Sequence, residues 1–459
     1  MKTKIIAIMI VIILFFVSFT VSSGTITTSR LDKTDDINEY DLIIITPKKF
    51  IQSLQPLAEH KNSHGVKTLI KNVDKIYKEF EGRDKAEQIK YYIKYAIEEW
   101  HVKYVLLVGG RKGQSLNEEW WLPVRYSRIE VNSDNFSENR FISDLYFADI
   151  YDKNGNFSSW DTDNDGIFGE WPQDKPAEDI IDLYPDVYLG RLPCRNIFDV
   201  KIIVNKIINY EKRKDSDCWF KNIVVIAGDS FPNIPGSYEG EEYTQSGLNF
   251  LPDFNHIKLW TSDGSLKSWI DVVKAINHGC GFIWFSGGAT PGAWGTHLPN
   301  ENKWLYILRM RHIPLLLNNK ELPICINGCG CHNCMFNISM GKSDWSKPIF
   351  ARCMGEALTF KRFGGVIAII GPTSSVAETP LITSKRGGME WFDIHFFEEY
   401  NVNKTDILGE TWGKTITNFL QNFSINWNDD SSNDSSLITK NVEVFLLIGD
   451  PSLKIGGYQ

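Results

Sequence analysis

Three consecutive stretches near the start of the chain restrict its fold more than any other feature. Residues 40–47 (YDLIIITP) and 103–110 (KYVLLVGG) are continuous apolar runs ended by proline or glycine, as expected of buried strands. Between them, residues 84–100 place apolar side chains at i, i+3, i+4, i+7 and i+8, which predicts an amphipathic helix. Strands without a polar face need cover on both sides, so this order predicts a parallel sheet between layers of helices.

The same pattern restarts in the second half of the chain, after a helical stretch at residues 197–214. Four more apolar runs with helical intervals are found at 221–229, 280–288, 322–328 and 364–375. The sequence therefore predicts the α/β class, with two consecutive three-layer subdomains built on mostly parallel sheets. We place the first subdomain at 40–215 and the second at 216–459.

Composition excludes some classes of protein. The chain has 459 residues, of which 42% are hydrophobic and 13% aromatic, so it can bury a large core and is not a disordered chain. Its net charge is −8 and it contains no long basic run, which argues against nucleic acid as a partner.

The first 23 residues have the pattern of a targeting segment. Lys2 and Lys4 precede an uncharged apolar run that extends to about residue 20, and small residues follow it. This predicts a secretory signal peptide cleaved near Ser23, and an uncleaved signal anchor is the alternative. Either way we expect the rest, beginning with a polar lead at 24–39, to be secreted or held at the cell surface, with membrane contact only through this segment.

An acidic loop at residues 152–171 is a candidate metal site. Its D-x-D-x-D-G core supplies oxygen ligands from one short segment, as calcium requires. The candidate ligands are Asp161, Asp163, Asp165, Ile167 (through its carbonyl) and Glu170, with Asp152, Asn154 and Asn156 completing this site or forming another. The EF-hand pattern is incomplete, because its twelfth position is Pro172. A solvated acidic turn is the alternative to a structural calcium site.

Five of the eight cysteines lie between residues 325 and 353. Cys331 and Cys334 form a C-x-x-C pair with His332 between them, which is compatible with a zinc, iron–sulfur or redox site. Ordinary buried cysteines are a second interpretation. A third takes Cys331 as a nucleophile on the loop after a strand, activated by a base or by helix dipoles.

Five segments in order give the chain a resemblance to the gingipain family of cysteine peptidases. They are YVLLVGG (104–110), PDVYLGRLPCRN (185–196), FSGGATPGAWGTH (285–297), LPICINGCGCHN (322–333) and FLLIGDPSLKIGG (445–457). The resemblance covers nearly the whole chain after the N-terminal segment. It implies a caspase-like second subdomain, calcium sites, and cleavage of peptide or protein substrates by a Cys–His dyad.

The resemblance also implies roles for individual residues. The nucleophile falls best on Cys331, with Cys329 one residue out of register as the second choice. Backbone N–H groups of the preceding glycine-rich turn would form the oxyanion hole. Asp186, in the PDVYLGR segment, corresponds to the acid that orients the histidine.

One position departs from the family pattern. The family's base is the histidine of a GHG turn, and here Gly288 stands in its place. His297, in the same loop, and His332 are the candidates to replace it. Loss of a base typically costs several powers of ten in rate. The sequence thus leaves two functions open: an exported cysteine peptidase with an unconventional base, or a pseudo-peptidase that binds peptides without cleaving them.

Overall fold

The computed structural model describes residues 39–458 except 115–116, 131–137, 139, 214–217, 233–236, 341–349 and 377–386. The predicted signal segment and nearly all of the polar lead lie outside the described residues. No helix in the described part of the chain is both long enough and apolar enough to cross a membrane.

Within the described residues the chain forms sixteen strands and ten α-helices. The strands are β1 Leu42–Thr46, β2 Thr68–Asn72, β3 Tyr104–Val108, β4 Tyr126–Ile129, β5 Arg140–Ile142, β6 Glu170–Trp171, β7 Tyr188–Leu192, β8 Asn222–Ala227, β9 Asn255–Trp260, β10 Phe282–Ser286, β11 Gly288–Thr290, β12 Ala293–His297, β13 Trp304–Arg309, β14 Ile324–Ile326, β15 Ala368–Pro372 and β16 Phe445–Ile448. The helices are α1 Ile51–Ser63, α2 Val73–Glu79, α3 Lys85–Trp100, α4 Ile197–Glu211, α5 Glu239–Leu248, α6 Trp269–Asn277, α7 Met354–Thr359, α8 Glu390–Asn401, α9 Leu408–Asn422 and α10 Asp434–Val444.

Ten of the strands form one sheet, in the order β2-β1-β3-β7-β16-β15-β14-β10-β8-β9. The first five strands of that order are mutually parallel, and so are the last five. The two halves meet at β15 and β16, which pair antiparallel. The predicted α/β class with a mostly parallel sheet is confirmed.

The reversal of strand direction lies between β15 and β16, and the predicted division near residue 215 stays a prediction. Residues 37–459 form one compact unit, so the two α/β halves share a sheet. β16 lies late in the sequence but pairs with β7, and it thereby belongs to the half built by the start of the chain.

Alternate side chains of the second half-sheet enter two different cores. Ile223, Phe282 and Ile324 belong to one buried cluster, whereas Val224 and Ile283 belong to the other. Successive side chains of a strand point to opposite faces, so the sheet is covered on both sides, as its continuous apolar strands require.

Residues at both ends of α3 explain why the predicted helix begins and ends where it does. Asp84 precedes the helix, and its side chain accepts a hydrogen bond from the N–H of Glu87. The helix ends at His101, which adopts a left-handed conformation with φ 56°.

Because strand direction reverses between β15 and β16, the carboxyl ends of the strands lie at two opposite edges of the sheet. The carboxyl ends of β10 and β14 lie at the same sheet edge as the amino ends of β7 and β16. The carboxyl ends of β1, β2 and β3 lie at the opposite edge. The molecule therefore has two edges at which loops follow parallel strands.

Candidate active site

The segment predicted as a glycine-rich loop after β10 is an antiparallel hairpin, which corrects that expectation. Gly288 pairs with Gly295 across β11 and β12, and β12 pairs in turn with β13. The hairpin contacts the loop after β14 through Asn333. The Asn333 amide donates to the carbonyl oxygen of Thr290 at 2.7 Å and accepts from Trp294 Nε1.

Trp304 fills the space beside Gly288. A Cβ atom at Gly288 would lie 2.6 Å from Cζ3 of the Trp304 ring and closer still to the neighbouring ring carbon. Trp304 is 41% exposed, and its indole is the only side chain among the three nearest atoms at this position. The resemblance assigns the base to position 288. This position has no side chain, and the Trp304 indole covers it.

His297 is held on the β8 side of this site. Its Nδ1 donates to the carbonyl oxygen of Asp229 at 2.9 Å, and its ring centroid lies 4.1 Å from that of Trp304. β8 and β14 flank β10 on opposite sides, so these contacts direct His297 away from the strand that precedes Cys331. His297 is thus held by contacts with Asp229 and Trp304, and a role for it as base stays a prediction.

Cys331 lies on a loop fixed by several hydrogen bonds. Asn327 donates to the Asn333 side chain at 2.6 Å, and the N–H of His332 donates to the carbonyl oxygen of Ser374 at 3.0 Å. Cys331 is partly exposed, whereas Cys329 is 2% exposed. Of the two candidates, Cys331 is therefore the more exposed, and its role as nucleophile stays a prediction.

His332 is paired with a carboxylate that the sequence did not point to. Its Nε2 lies 2.6 Å from Oε2 of Glu138, and the Ser374 hydroxyl donates to the same oxygen at 2.6 Å. Burial alone would raise the pKa of Glu138, but His332, Ser374 and the N–H of Ser375 lower it to about 2. His332 has φ 62°, and its side chain is 1% exposed. Glu138 therefore orients an imidazole that is adjacent in sequence to Cys331.

Lys440 brings a positive charge to the same loop. Its Nζ donates to the carbonyl oxygen of Glu138 and to the Ser375 hydroxyl, both at 3.1 Å. Burial lowers the pKa of Lys440, and the negative charges of Glu138 and of a Cys331 thiolate oppose that shift. The ammonium of Lys440 therefore attracts charge developing on the Cys331 sulfur.

The remaining cysteines of this region are core residues. All eight cysteines lie in the described part of the chain, and none forms a disulfide. Burial raises the pKa of the Cys325, Cys334 and Cys353 thiols, which keeps them protonated. In the described residues, the one group of three metal-ligating side chains contains only aspartates, which disfavours a metal site at the cysteines.

Asp393 of α8 connects the loop that carries Cys331 with β10. Its Oδ2 accepts hydrogen bonds from Trp284 Nε1 at 3.0 Å and from the N–H of Gly328 at 3.1 Å. Burial raises the pKa of Asp393 to about 8, although both hydrogen bonds oppose the shift. Asp393 is thus a buried carboxyl group that joins this loop to β10, with burial favouring its protonated form.

Asp186 has a different set of partners from those implied by the resemblance. Its Oδ2 accepts hydrogen bonds from the N–H groups of Ile150 at 2.7 Å and Tyr151 at 2.9 Å. It lies two residues before β7, three strands from β14, which corresponds to about 14 Å across the sheet. These hydrogen bonds engage Asp186 with the main chain before β7, and its catalytic role stays a prediction.

The acidic loop brings together three of the predicted calcium ligands. Carboxylate oxygens of Asp161, Asp163 and Asp165 lie within 4.8 Å of one another, and Asp161 is buried. Main-chain N–H groups shape the loop: that of Asp165 donates to Asp161 and Asp163, and that of Ile167 donates to Asp165 at 2.7 Å. Gly166 adopts φ 89°, which provides the turn.

Neighbouring carboxylates make the acidic loop a site of charge repulsion. Burial, with Glu178 and Asp165, raises the pKa of Glu170 to about 7, and burial raises that of Asp179 to about 6. Arg83 offsets part of this charge, because its Nη1 lies 2.5 Å from Asp161 Oδ2. This donor set fits the oxygen chemistry of calcium, and binding itself stays a prediction.

The upstream part of the loop forms its own turn. Asp152 Oδ1 accepts hydrogen bonds from the N–H groups of Asn154 and Asn156, both at 2.8 Å, and the Asn156 amide donates to Oδ2 at 3.1 Å. These bonds lower the pKa of Asp152. Asp152 is not in the group formed by the three downstream aspartates, within the residues that the structure describes.

Comparison with known proteins agrees with the arrangement of the strands. Residues 35–456 match Peptidase family C25. The chain belongs to this family. It is 23% identical over 344 residues to Gingipain R2 of Porphyromonas gingivalis, and 23% identical over 339 residues to Gingipain R1 of the same organism. Both alignments cover 72% of the chain, but only 36% and 27% of these longer relatives.

Solved structures show the C25 fold directly. The crystal structure of the Arg-specific cysteine proteinase gingipain R matches with a TM-score of 0.62 and 19% identity, covering 92% of this chain and 79% of that one. A complex of gingipain pro- and mature domains from Porphyromonas gingivalis matches with a TM-score of 0.60 and 18% identity, covering 90% and 79%. These likenesses establish the fold of this C25 member.

Sequence reasoning missed four residues of this C25 site: Trp304, Glu138, Lys440 and Asp393. None lies in a segment that carries the family resemblance. Trp304 and Lys440 carried no motif, and Glu138 stands in a polar stretch without periodicity. The signal that could have found Asp393 is a lone acid in an otherwise aromatic helical segment, WFDIHFF.

Proposed function

We propose that this C25 protein is an exported homologue of the cysteine peptidases that binds peptide or protein segments at the Cys331 loop and has lost efficient hydrolysis through a Cys–His dyad. The observation that carries the proposal is Gly288, whose missing side chain is replaced in space by the Trp304 indole. The fold, the hairpin and the accessible thiol remain, so the binding surface is retained while the base is not.

The chemistry explains why this one position matters. A cysteine peptidase needs a base that takes the thiol proton and later donates it to the leaving amine. Without an imidazole at Gly288, thiolate attack lacks a partner that returns the proton, and acyl transfer stalls before the amine leaves. Main-chain N–H groups alone leave a residual effect that is several powers of ten smaller than the complete machinery.

Inhibitor labelling tests the proposal. The purified protein and a Cys331→Ala variant are incubated with a peptidyl acyloxymethyl ketone and, separately, with a library of fluorogenic peptides. We expect peptide hydrolysis to be equal in the two proteins at background level. Stoichiometric labelling at Cys331 together with Cys331-dependent turnover would show that the protein is an active peptidase.

Residual thiol chemistry is the second candidate, favoured by the charges around the loop. Lys440 attracts a thiolate at Cys331, and the Glu138–His332 pair supplies an oriented imidazole nearby. Lys440→Met should slow alkylation of Cys331 by iodoacetamide several-fold. The exposed Cys218 in the same chain is the internal reference. If the ratio of the alkylation rates of Cys331 and Cys218 stayed unchanged, Lys440 would have no effect on the Cys331 thiol.

Calcium and export complete the proposal. Asp161, Asp163 and Asp165, with Glu170 and the Ile167 carbonyl, would hold a calcium ion that neutralises the crowded carboxylates and fixes the loop.

The proposal of export rests on the first 23 residues, and the alternative is that they are retained as a membrane anchor. N-terminal sequencing of the mature protein distinguishes these: a start near Gly24 supports cleavage, and a start at Met1 or Lys2 supports the anchor.

A further inference from the structure

A cavity of about 850 Å³ lies at the sheet edge opposite the Cys331 loop. It is formed where β1, β2 and β3 end, and is lined by residues that follow these strands directly, among them Pro47 and Val73. The reversal of strand direction at β15 and β16 separates this cavity from the candidate active site. It is therefore a second place, independent of peptide chemistry, at which the protein can hold a ligand.

The path of the chain makes a crevice at this point. From β1 the chain crosses to β2 on one side, and later to β3 on the other side of β1. The connection after β3 leads toward β7, away from β2, and neighbouring parallel strands whose connections leave in opposite directions open a gap between their carboxyl ends, where α/β proteins commonly bind ligands. The two glycines that end the YVLLVGG segment follow β3 and lie at this gap. Gly110 accepts a hydrogen bond from the N–H of Trp121 at 2.9 Å, which places that residue over the end of β3.

Four lysines give the crevice a positive charge. They are Lys48, Lys49, Lys85 and Lys112. Two acids, Asp74 and Glu119, also line it, so cations outnumber anions by two. Within the described part of the chain none of the four lysines forms an ion pair. In a protein of net charge −8, a concave surface with an excess of uncompensated ammonium groups attracts anions selectively.

Two of these ammonium groups lie close to the ring of Trp121. Lys49 Nζ and Lys112 Nζ each lie 5.0 Å from its ring centroid, so they are separated by at most twice that distance. Trp121 is itself fixed, since its Nε1 donates to the carbonyl oxygen of Arg195 at 2.9 Å. A ligand with several negative oxygens can interact with two ammonium groups over such a separation.

We propose that this crevice is a binding site for a small multivalent anion, bound by Lys48, Lys49, Lys85 and Lys112, of which Lys49 and Lys112 lie beside the Trp121 ring. The ligand class comprises molecules with adjacent phosphate groups or clustered carboxylates. Lysine binds such groups as a point charge, so recognition depends on the number and spacing of ammonium groups.

Calorimetric titration of the full chain with tripolyphosphate and with citrate tests this site. We expect saturable one-to-one binding of at least one probe, weakened by added NaCl. The Lys49→Glu/Lys112→Glu variant should lose at least tenfold in affinity. Stronger binding of tripolyphosphate assigns the site to phosphate groups, and stronger binding of citrate assigns it to carboxylates.

A charge-matched variant provides the control. Lys201→Glu/Lys274→Glu changes net charge equally, at exposed helical positions outside the crevice. Its affinity should equal that of the unmodified protein. Equal losses in both double variants, or no binding of either probe, would overturn the proposal. The neutral Lys49→Gln/Lys112→Gln variant, checked by circular dichroism, covers the case in which charge reversal disturbs folding.

Discussion

At the scale of single residues, the position of Trp304 matters as much as the identity of Gly288. The indole occupies the space that a Cβ atom at Gly288 would need, and its ring packs against that of His297. Replacing Gly288 alone would force an imidazole into an occupied space. A base can be restored only if the indole is removed at the same time.

We therefore predict that Gly288→His/Trp304→Ala raises Cys331-dependent peptide hydrolysis by about 100-fold or more, because a positioned general base contributes that much. Gly288→His alone should stay inactive, since Trp304 blocks the ring. The assay is fluorogenic peptide turnover, with Trp304→Ala and the Cys331→Ala triple variant as controls. A folded double variant without turnover would show that Gly288 is not the position of the base.

Asp393 is a second residue whose protonation has a measurable effect. Its pKa is raised to about 8 from an ordinary value of 3.8, so the folded protein binds a proton there that the unfolded chain releases. Stability contributed at this site therefore falls as pH rises from about 4 to about 8.

Asp393→Asn should remove this pH dependence, because an amide keeps the acceptor oxygen without a titrating group. We expect the unfolding free energy of the unmodified protein, minus that of the variant, to fall by about 2–4 kcal/mol between pH 5 and pH 8. Urea titrations at both pH values measure it. A difference independent of pH would mean that Asp393 is ionised in the folded protein.

At the scale of elements, the acidic loop has the clearest consequence. Its carboxylates are held close together, and within the described residues Arg83 is the cationic partner in contact with Asp161. Repulsion of this kind is relieved by a bound cation, which binds the folded state and hence stabilises it.

We predict that calcium at 100 times its dissociation constant stabilises the protein by about 2.7 kcal/mol. Thermal unfolding with calcium or with EGTA measures the shift. Asp163→Asn/Asp165→Asn should abolish the response, whereas Asp152→Asn, in the neighbouring turn, should keep it. Loss of the response in Asp152→Asn would extend the site to that turn, and no response in the unmodified protein would contradict the calcium proposal.

At the scale of the whole molecule, buried charges join the two ends of the described chain. Lys61 of α1 lies 2.7 Å from Glu211 of α4 and 2.9 Å from Asp450, and all three side chains are inaccessible to solvent. Burial alone would lower the pKa of Lys61, but Asp450 and Glu211 raise it above its ordinary value. Lys61 also donates to the carbonyl oxygen of Ser452, 391 residues away in sequence.

Removing this lysine should be costly, because it leaves two buried carboxylates without their cation. We predict that Lys61→Met lowers the unfolding free energy by about 3–5 kcal/mol, measured by urea denaturation. Lys201→Met, at an exposed position of α4, is the matched control and should change it by less than about 0.5 kcal/mol. An unfolding midpoint for Lys61→Met equal to that of the control would show that the network does not stabilise the fold.

The sequence predicted those features that depend on local pattern. The apolar runs at β1, β3 and β10 and the periodicity of α3 were sufficient for the α/β class, and Gly288 was identified through the resemblance of its segment to the family pattern. The joining of β16 to β7, the hairpin after β10 and the contacts of Glu138 and Trp304 depend on residues far apart in sequence. No local periodicity encodes such contacts, so they could be identified only from the structure.

The late position of β16 has a consequence for how the protein assembles. β15 and β7 each present an open edge until β16 is inserted between them. Synthesis delivers β16 after the other fifteen strands, so two half-sheets with unpaired backbone groups must wait for it. Closure between such distant segments is slow, and exposed edges recruit other chains in the meantime. The insertion of this one strand therefore ends the interval in which the newly made chain is prone to aggregate.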